Sequence, residues 1–373
     1  MRRSASSVAL LATLSLTLTA CGGDSEKEAS NSSSEAAGSS SPAESSSEAE
    51  SGGDAAWEPV TVEHAFGSTT VEEEPERVAT IDWANQETPL ALGISPVGMA
   101  KMTWGDDNGD GIQPWTDKAL QELGAKAPVL FDETDGYDFE AIAESDPDVI
   151  LAGYSGMSEE DYATLSKIAP TIAFPDAPWA TEWDKAILQN AKGLGQEAEG
   201  EELVDELRGE IEKAVAEHPE IKGKSAMFMT HVDLTDLSEI NFYAADDTRS
   251  KFLEDLGMKI PDSIKKHSEP GKYAGKISTE KADELADVDV IITYGGGELY
   301  EALSADPVLS QLPAVKNKAI VALDGESPVG AAANPTALSI PENVPLYVEE
   351  ISKALAGEGS GAKASGAKAS SAK

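Results

Sequence analysis

Between residues 57 and 357 the chain alternates short apolar runs with polar stretches of helical period. Residues 77–81, 96–100, 148–152 and 171–174 read as strands, and residues 86–92 as the helix that follows the first of them. The rhythm restarts at 226–230 and continues at 288–293 and 319–323. It closes with 336–355, a largely helical stretch interrupted by prolines. Strands that alternate with helices in this way predict α/β lobes with parallel-type sheets and flanking helices.

Residues 196–218 break the rhythm. Leu203, Leu207, Ile211 and Val215 recur at every fourth position, and Glu, Lys and Arg fill the other faces. This is the pattern of one amphipathic helix roughly 30 Å long at 1.5 Å per residue, and Pro219 stops it. Lying between two α/β halves, it predicts a rigid bridge; a surface helix packed on one domain is the plainer alternative. The halves also echo each other. Asp138 and Ser278 each read as an N-cap, followed by a first-turn glutamate (Glu140, Glu280), a short helix and a buried strand that ends at a tyrosine beside glycine (Tyr154, Tyr294). Two such halves facing each other would make a cleft.

The flanks differ in kind. Residues 22–56 are Ser, Glu, Ala and Gly with almost no large apolar side chain, so they cannot offset their ordering entropy and are expected to form a flexible tether. Residues 361–365 repeat as 366–370, a basic low-complexity tail. At the start, Arg2 and Arg3 precede a mostly apolar run over 8–20 that is too short to span a bilayer, which takes roughly 20 residues; it reads as an export signal. Cys21, the sole cysteine, directly follows Leu18-Thr19-Ala20, an arrangement that resembles the bacterial lipobox and marks Cys21 for lipid attachment. A single cysteine also rules out an intramolecular disulfide.

The formal net charge of −40 repels phosphate backbones, which excludes nucleic acid as a partner. It also argues against lying flat on anionic lipid, so the anchor is left to hold the protein at the membrane. Most of these carboxylates are read as a solvated surface.

An ordered series of short segments then points to a family: residues 75–78 (Pro-Glu-Arg-Val), 92–98 (Leu-Gly-Ile-Ser-Pro-Val-Gly), 139–143 (Phe-Glu-Ala-Ile-Ala), 146–151 (Asp-Pro-Asp-Val-Ile-Leu) and 165–170 (Leu-Ser-Lys-Ile-Ala-Pro). With the lipobox and acidic tether, the series resembles the substrate-binding lipoproteins of ferric-siderophore and cobalamin ABC importers over roughly residues 57–357. The resemblance implies two α/β lobes bridged by one long helix, with little closure on binding and a shallow cleft between them. It divides the chain into a signal peptide (1–20), a lipid-anchored tether (21–56), an N-terminal lobe (57–192), a bridging helix (193–219), a C-terminal lobe (220–357) and a tail (358–373). It also implies that Glu140 and Glu280, one per lobe, dock into arginine pockets of the permease; first-turn stabilisation by the helix dipole is the bland reading of both.

In open α/β sheets ligands sit beyond the carboxyl ends of the strands. Those positions hold Trp83, Lys101, Trp104, Tyr154 and Trp179 in the first half, and Tyr243, Arg249 and Tyr294 in the second. Tyr and Trp offer broad rigid contact with one polar tip, which suits a bulky amphipathic chelate. Trp115 and Trp183 fall in helical patterns and are assigned to packing. Arg249 has the donor fork to reach ligand oxygens, or else pairs with a neighbouring aspartate. A triply anionic catecholate would want several cations, and only Lys101 and Arg249 are candidates. A neutral ferric hydroxamate or mixed-type chelate therefore fits better.

Other signals are weaker. Asp106, Asn108, Asp110 and Gly111 match the first half of a calcium loop, but Pro114 and Asp117 occupy later ligand positions, so an Asx-rich turn is expected. His64, His218, His231 and His267 lack ligand spacing. Ser155 lacks the glycine of a nucleophile elbow. The reading is a non-enzymatic, monomeric binding protein at the extracytoplasmic face. It takes no cofactor, carries iron within the siderophore, and partners an ABC permease. A haem or cobalamin carrier on the same scaffold and an anchored hydrolase using Ser155 are the alternatives.

Overall fold

The structure is a computed structural model that describes residues 57–359 except Gly297 and Glu326. The expected signal peptide, Cys21, the tether and the repeat tail from residue 360 lie outside the described residues. Among those described, no helix is long and apolar enough to cross a membrane.

A hairpin opens the fold, β1 (Val60–His64) against β2 (Gly67–Val71). Val62, His64, Thr69 and Val71 turn inward and the residues between them face solvent, the period-two pattern of a half-buried ribbon. The first sheet follows, with β3 (Val78–Thr80), β4 (Gly98–Ala100), β5 (Val129–Phe131), β6 (Val149–Leu151) and β7 (Thr171–Ile172). All its pairings are parallel and the order is β5-β4-β3-β6-β7. Around it run α1 (Glu87–Ala91), α2 (Pro114–Glu122), α3 (Phe139–Glu144), α4 (Glu159–Leu165) and α5 (Trp183–Gly193). The strand order reverses between β3 and β6, so the chain leaves their carboxyl ends in opposite directions and opens a crevice there.

After α6 (Glu197–Glu217) a second sheet forms from β8 (Ala226–Met229), β9 (Glu239–Tyr243), β10 (Ala274–Ser278), β11 (Val290–Tyr294) and β12 (Ile320–Leu323), in the order β10-β9-β8-β11-β12. Here the parallel expectation needs refining. β8, β11 and β12 are parallel, but β9 pairs antiparallel with both β8 and the edge strand β10. The helices of this half are α7 (Thr248–Asp255), α8 (Asp262–His267), α9 (Glu298–Ala305), α10 (Pro313–Lys316), α11 (Pro328–Ala331) and α12 (Ser339–Leu355). Pro345 lies inside α12 without ending it.

The long helix α6 packs against α5 on one side and α12 on the other. Its buried seam is Gly200, Val204, Leu207, Ile211, Ala214 and Val215. Gly200 sits so close to α5 that a Cβ there would stand 2.5 Å from Ala191 Cβ. One continuous apolar cluster runs from Trp183 and Ile187 of α5 through α6 into the second sheet. The internal echo is only partial. Asp138 caps α3 through the Ala141 N–H at 3.0 Å, whereas Ser278 makes no side-chain cap and residues 279–287 form a kinked 3-10 run. Ser278 is held in the β10–β9 ladder, and its neighbour Thr279 is tied to the Leu237 carbonyl.

Candidate ligand-binding cleft

The two reversal points of the sheets face each other. From the first half come Trp83 after β3, Trp104 after β4, and Tyr154 and Trp179 from beyond β6 and β7. From the second come His231 after β8, Tyr243 and Tyr294 at the ends of β9 and β11, and Arg249 in the first turn of α7. Together they wall a cavity of about 390 Å³, completed by Asp247, Tyr273, Gly330, Ala331 and Asn334.

Tyr154 forms the floor. Its backbone N–H donates to Asn85 Oδ1 at 3.1 Å, and Asn85 Nδ2 returns a bond of 2.8 Å to the Tyr154 carbonyl. Its buried hydroxyl lies 3.3 Å from Thr248 Oγ1 and 3.4 Å from Asn334 Nδ2, so the floor also pins one half to the other. Burial pushes this phenol above the usual tyrosine range. Trp179 leans edge-on against the Tyr154 ring at 5.2 Å. On the opposite wall His231 stacks on Tyr294 at 5.3 Å, and Trp104 meets both edge-on. Trp104 is seated on Gly325, where any Cβ would overlap its ring.

Among the described residues, Arg249 is the one guanidinium on this wall. It lies 4.2 Å over the Tyr243 ring, donates from Nε to the Tyr294 hydroxyl at 3.2 Å, and pairs with the buried Asp247 at 3.2 Å. The pair is formally neutral and its fork is held by aromatic faces, a geometry suited to presenting donors to a ligand without a net charge. Burial raises Tyr243 to about 12 and lifts Tyr294 as well, so both hydroxyls stay protonated.

Seven of the eight residues chosen at strand ends stand on this cavity wall. Lys101 does not. It is exposed and its stem lies against Gly111, because the loop after β4 carries it outward while Trp104 turns in. Trp115 and Trp183 are packed, with their indole N–H groups donating to Glu87 at 2.7 Å and Asp255 at 2.9 Å. Ser155 is fully buried. Asp106 accepts the backbone N–H groups of Asn108, Gly109 and Gly111, an Asx-type turn that occupies its oxygens. Tyr273 and Asn334 are wall residues that the sequence did not point to, and His231 and Asp247, read there only as an isolated histidine and as a partner for Arg249, stand on the wall as well. The strand-end rule applied to β8 would have found His231; Tyr273 stands at the amino end of β10, where the rule does not look.

A profile described as Periplasmic binding protein matches residues 78–327. PiaA of Streptococcus pneumoniae TIGR4, solved in complex with ferrichrome, is 43% identical, with a TM-score of 0.76 over 80% of this chain and 99% of that one. The probable siderophore-binding lipoprotein YfiY of Bacillus subtilis (strain 168) is 28% identical over 236 residues, covering 63% of this chain and 67% of that protein. The ferric enterobactin-binding periplasmic protein FepB of Escherichia coli O6:H1 is 24% identical over 291 residues, 73% and 86% of the two chains. With two doubly wound α/β halves, one long helix between them and a walled cleft where their strands end, this chain belongs to the periplasmic binding protein family.

Proposed function

We propose that the chain is the extracytoplasmic binding component of an ABC importer, capturing a ferric siderophore of hydroxamate or mixed type in the cleft and delivering it to the permease. The observation that carries this reading is the aromatic cavity whose single guanidinium is already neutralised by Asp247. A volume of about 390 Å³ falls in the range of small-molecule sites, roughly 300–1,000 Å³. With Lys101 outside the cavity, a triply anionic complex would meet only one cation, whereas an uncharged chelate meets aromatic faces and a few fixed donors. The similarity to PiaA, solved with ferrichrome, supports the same choice.

In this reading residues 57–192 and 220–357 are the two lobes and 193–219 the bridge. Cys21 carries lipid and the tether keeps the cleft near the permease at high effective concentration. The cleft holds the complex without changing it, and the siderophore supplies the iron's ligands. Quenching of intrinsic tryptophan fluorescence by ferrichrome, a ferric tris-catecholate and ferric citrate tests the choice. Ferrichrome is expected to bind tightest, with the catecholate roughly 100-fold weaker, and Arg249→Ala is expected to lose roughly 100-fold in ferrichrome affinity by leaving Asp247 unpaired. Tightest binding of the catecholate would overturn the substrate class. Because His231 also faces the cavity, a Soret band on adding haemin would instead favour a haem carrier.

A further inference from the structure

The backbone segments that carry Trp83 and Trp179 on the first half's wall meet at one carboxylate, Asp82. Asp82 immediately precedes Trp83 and has a φ of +58°, a left-handed conformation that Asp and Asn tolerate better than other side-chain-bearing residues. Its N–H donates to Glu133 Oε2 at 3.0 Å. Its Oδ2 accepts the Tyr137 hydroxyl at 2.5 Å and the Gly156 N–H at 3.4 Å. Gly156 is in turn the platform for Trp179, since a Cβ there would stand 2.3 Å from the indole Nε1. The Trp179 N–H closes the turn on the Ser155 carbonyl at 3.0 Å. Ala84 and Trp179 also have positive φ values, +60° and +58°. Strained backbone of this kind persists only where the surroundings over-determine it, and Asp82 is the group that joins these segments.

We propose that Asp82 is a positioning residue, whose carboxylate, held by Tyr137, fixes the Gly156 turn and the approach to Trp83 so that both tryptophans stand in place for the ligand. This rests on the cleft being the ligand site. It adds a proton dependence that aromatic walls alone would not have. The titratable groups acting on Asp82 are Glu133, Tyr137 and Asp161. Burial raises Asp82 to about 6. Burial and the Asp82 charge together raise Glu133 to about 8. At pH 7 Asp82 is therefore ionised beside a neutral Glu133. As pH falls through 6 its proton competes with the Tyr137 hydroxyl for the carboxylate, and the Gly156 N–H loses its charged acceptor.

The test follows ferrichrome binding to the full chain by fluorescence between pH 7.5 and 5, alongside near-UV circular dichroism of the ligand-free protein. If only the ionised form holds the wall, affinity falls about tenfold by pH 5, and the near-UV signal moves with a midpoint near 6 while the far-UV spectrum is unchanged. Asp82→Asn keeps the backbone preference and an acceptor oxygen but not the charge, and is expected to abolish both transitions. Tyr137→Phe removes a donor that holds the proton off, and is expected to move the midpoint upward. A flat wild-type profile, or an Asp82→Asn profile with the wild-type midpoint, would overturn the proposal. Absence of ferrichrome binding at every pH would count against the siderophore reading alone, because the ligand-free transition still decides the role of Asp82.

Discussion

Glu87→Ala is expected to lower the free energy of unfolding by roughly 3–5 kcal/mol, measured by urea denaturation. Glu87 sits on α1 of the first half and is completely buried. Its carboxylate accepts the Trp115 indole N–H at 2.7 Å and the Leu338 N–H at 2.7 Å, with the Ser339 N–H also directed at it. Leu338 and Ser339 begin α12, the closing helix of the second half, which has no capping side chain of its own. A helix start leaves up to four N–H groups without intrahelical partners, and the Glu87 carboxyl oxygens accept from those of Leu338 and Ser339. Glu87 therefore caps α12 from the other half of the molecule. Alanine would strand several buried donors at once and remove a tie that holds the two halves in register.

The same site has a defined pH signature. Burial raises the Glu87 pKa above its ordinary value of 4.5, against the pull of its donors. A carboxyl group raised on folding contributes most below its unfolded value and loses that contribution as pH rises through the folded one. Glu87→Gln cannot titrate, so the stability advantage of wild type over this variant is expected to shrink as pH rises above 4.5. A loss below about 1 kcal/mol in Glu87→Ala would show that α12 is held by packing alone.

How far such ties can be read in advance depends on what kind of signal a residue leaves. β3, β6, β8 and β11 are short and nearly all-buried, so each appears as an uninterrupted apolar run with Pro, Gly or Asp nearby. The hairpin β1–β2 and the strand β9 are buried on one face only, and their Thr, Glu and Asn positions hide the alternation among polar residues. β10, with Gly275 packed under Phe242, carries even less apolar signal. That is why the antiparallel edge of the second sheet was illegible while its parallel centre was clear. Most of the cleft aromatics were legible because the parallel strands of both sheets deliver their carboxyl ends to the cleft; Lys101 stands at such an end too, but its side chain lies outward against Gly111. Glu87 and Asp82 were invisible for a different reason. A buried carboxylate is made tolerable by donors from distant parts of the chain, and nothing local in the sequence marks it.

The double variant Glu140→Ala with Glu280→Ala is expected to reduce iron uptake by cells at least 100-fold while leaving ferrichrome affinity unchanged. Both glutamates are exposed, one in the first turn of α3 and the other at the start of the 3-10 run after β10, so each belongs to a different half. Neither lines the cleft, and loss of an exposed first-turn carboxylate removes only about 0.3–1 kcal/mol of helix stabilisation. Binding and uptake should therefore separate. If each carboxylate enters a charged pocket of the permease, removing one partner weakens docking by about 2–5 kcal/mol, and two losses on rigidly spaced halves compound. Rigidity matters here: α6 packs on both halves and Glu87 ties α1 to α12, and a fixed separation of the two glutamates would let both engage without an ordering penalty. Isotope uptake in cells and fluorescence titration of the purified variant check the two halves of the expectation. A fall in ferrichrome affinity would move these residues from docking to the cleft, and undiminished uptake would remove them from the transfer step.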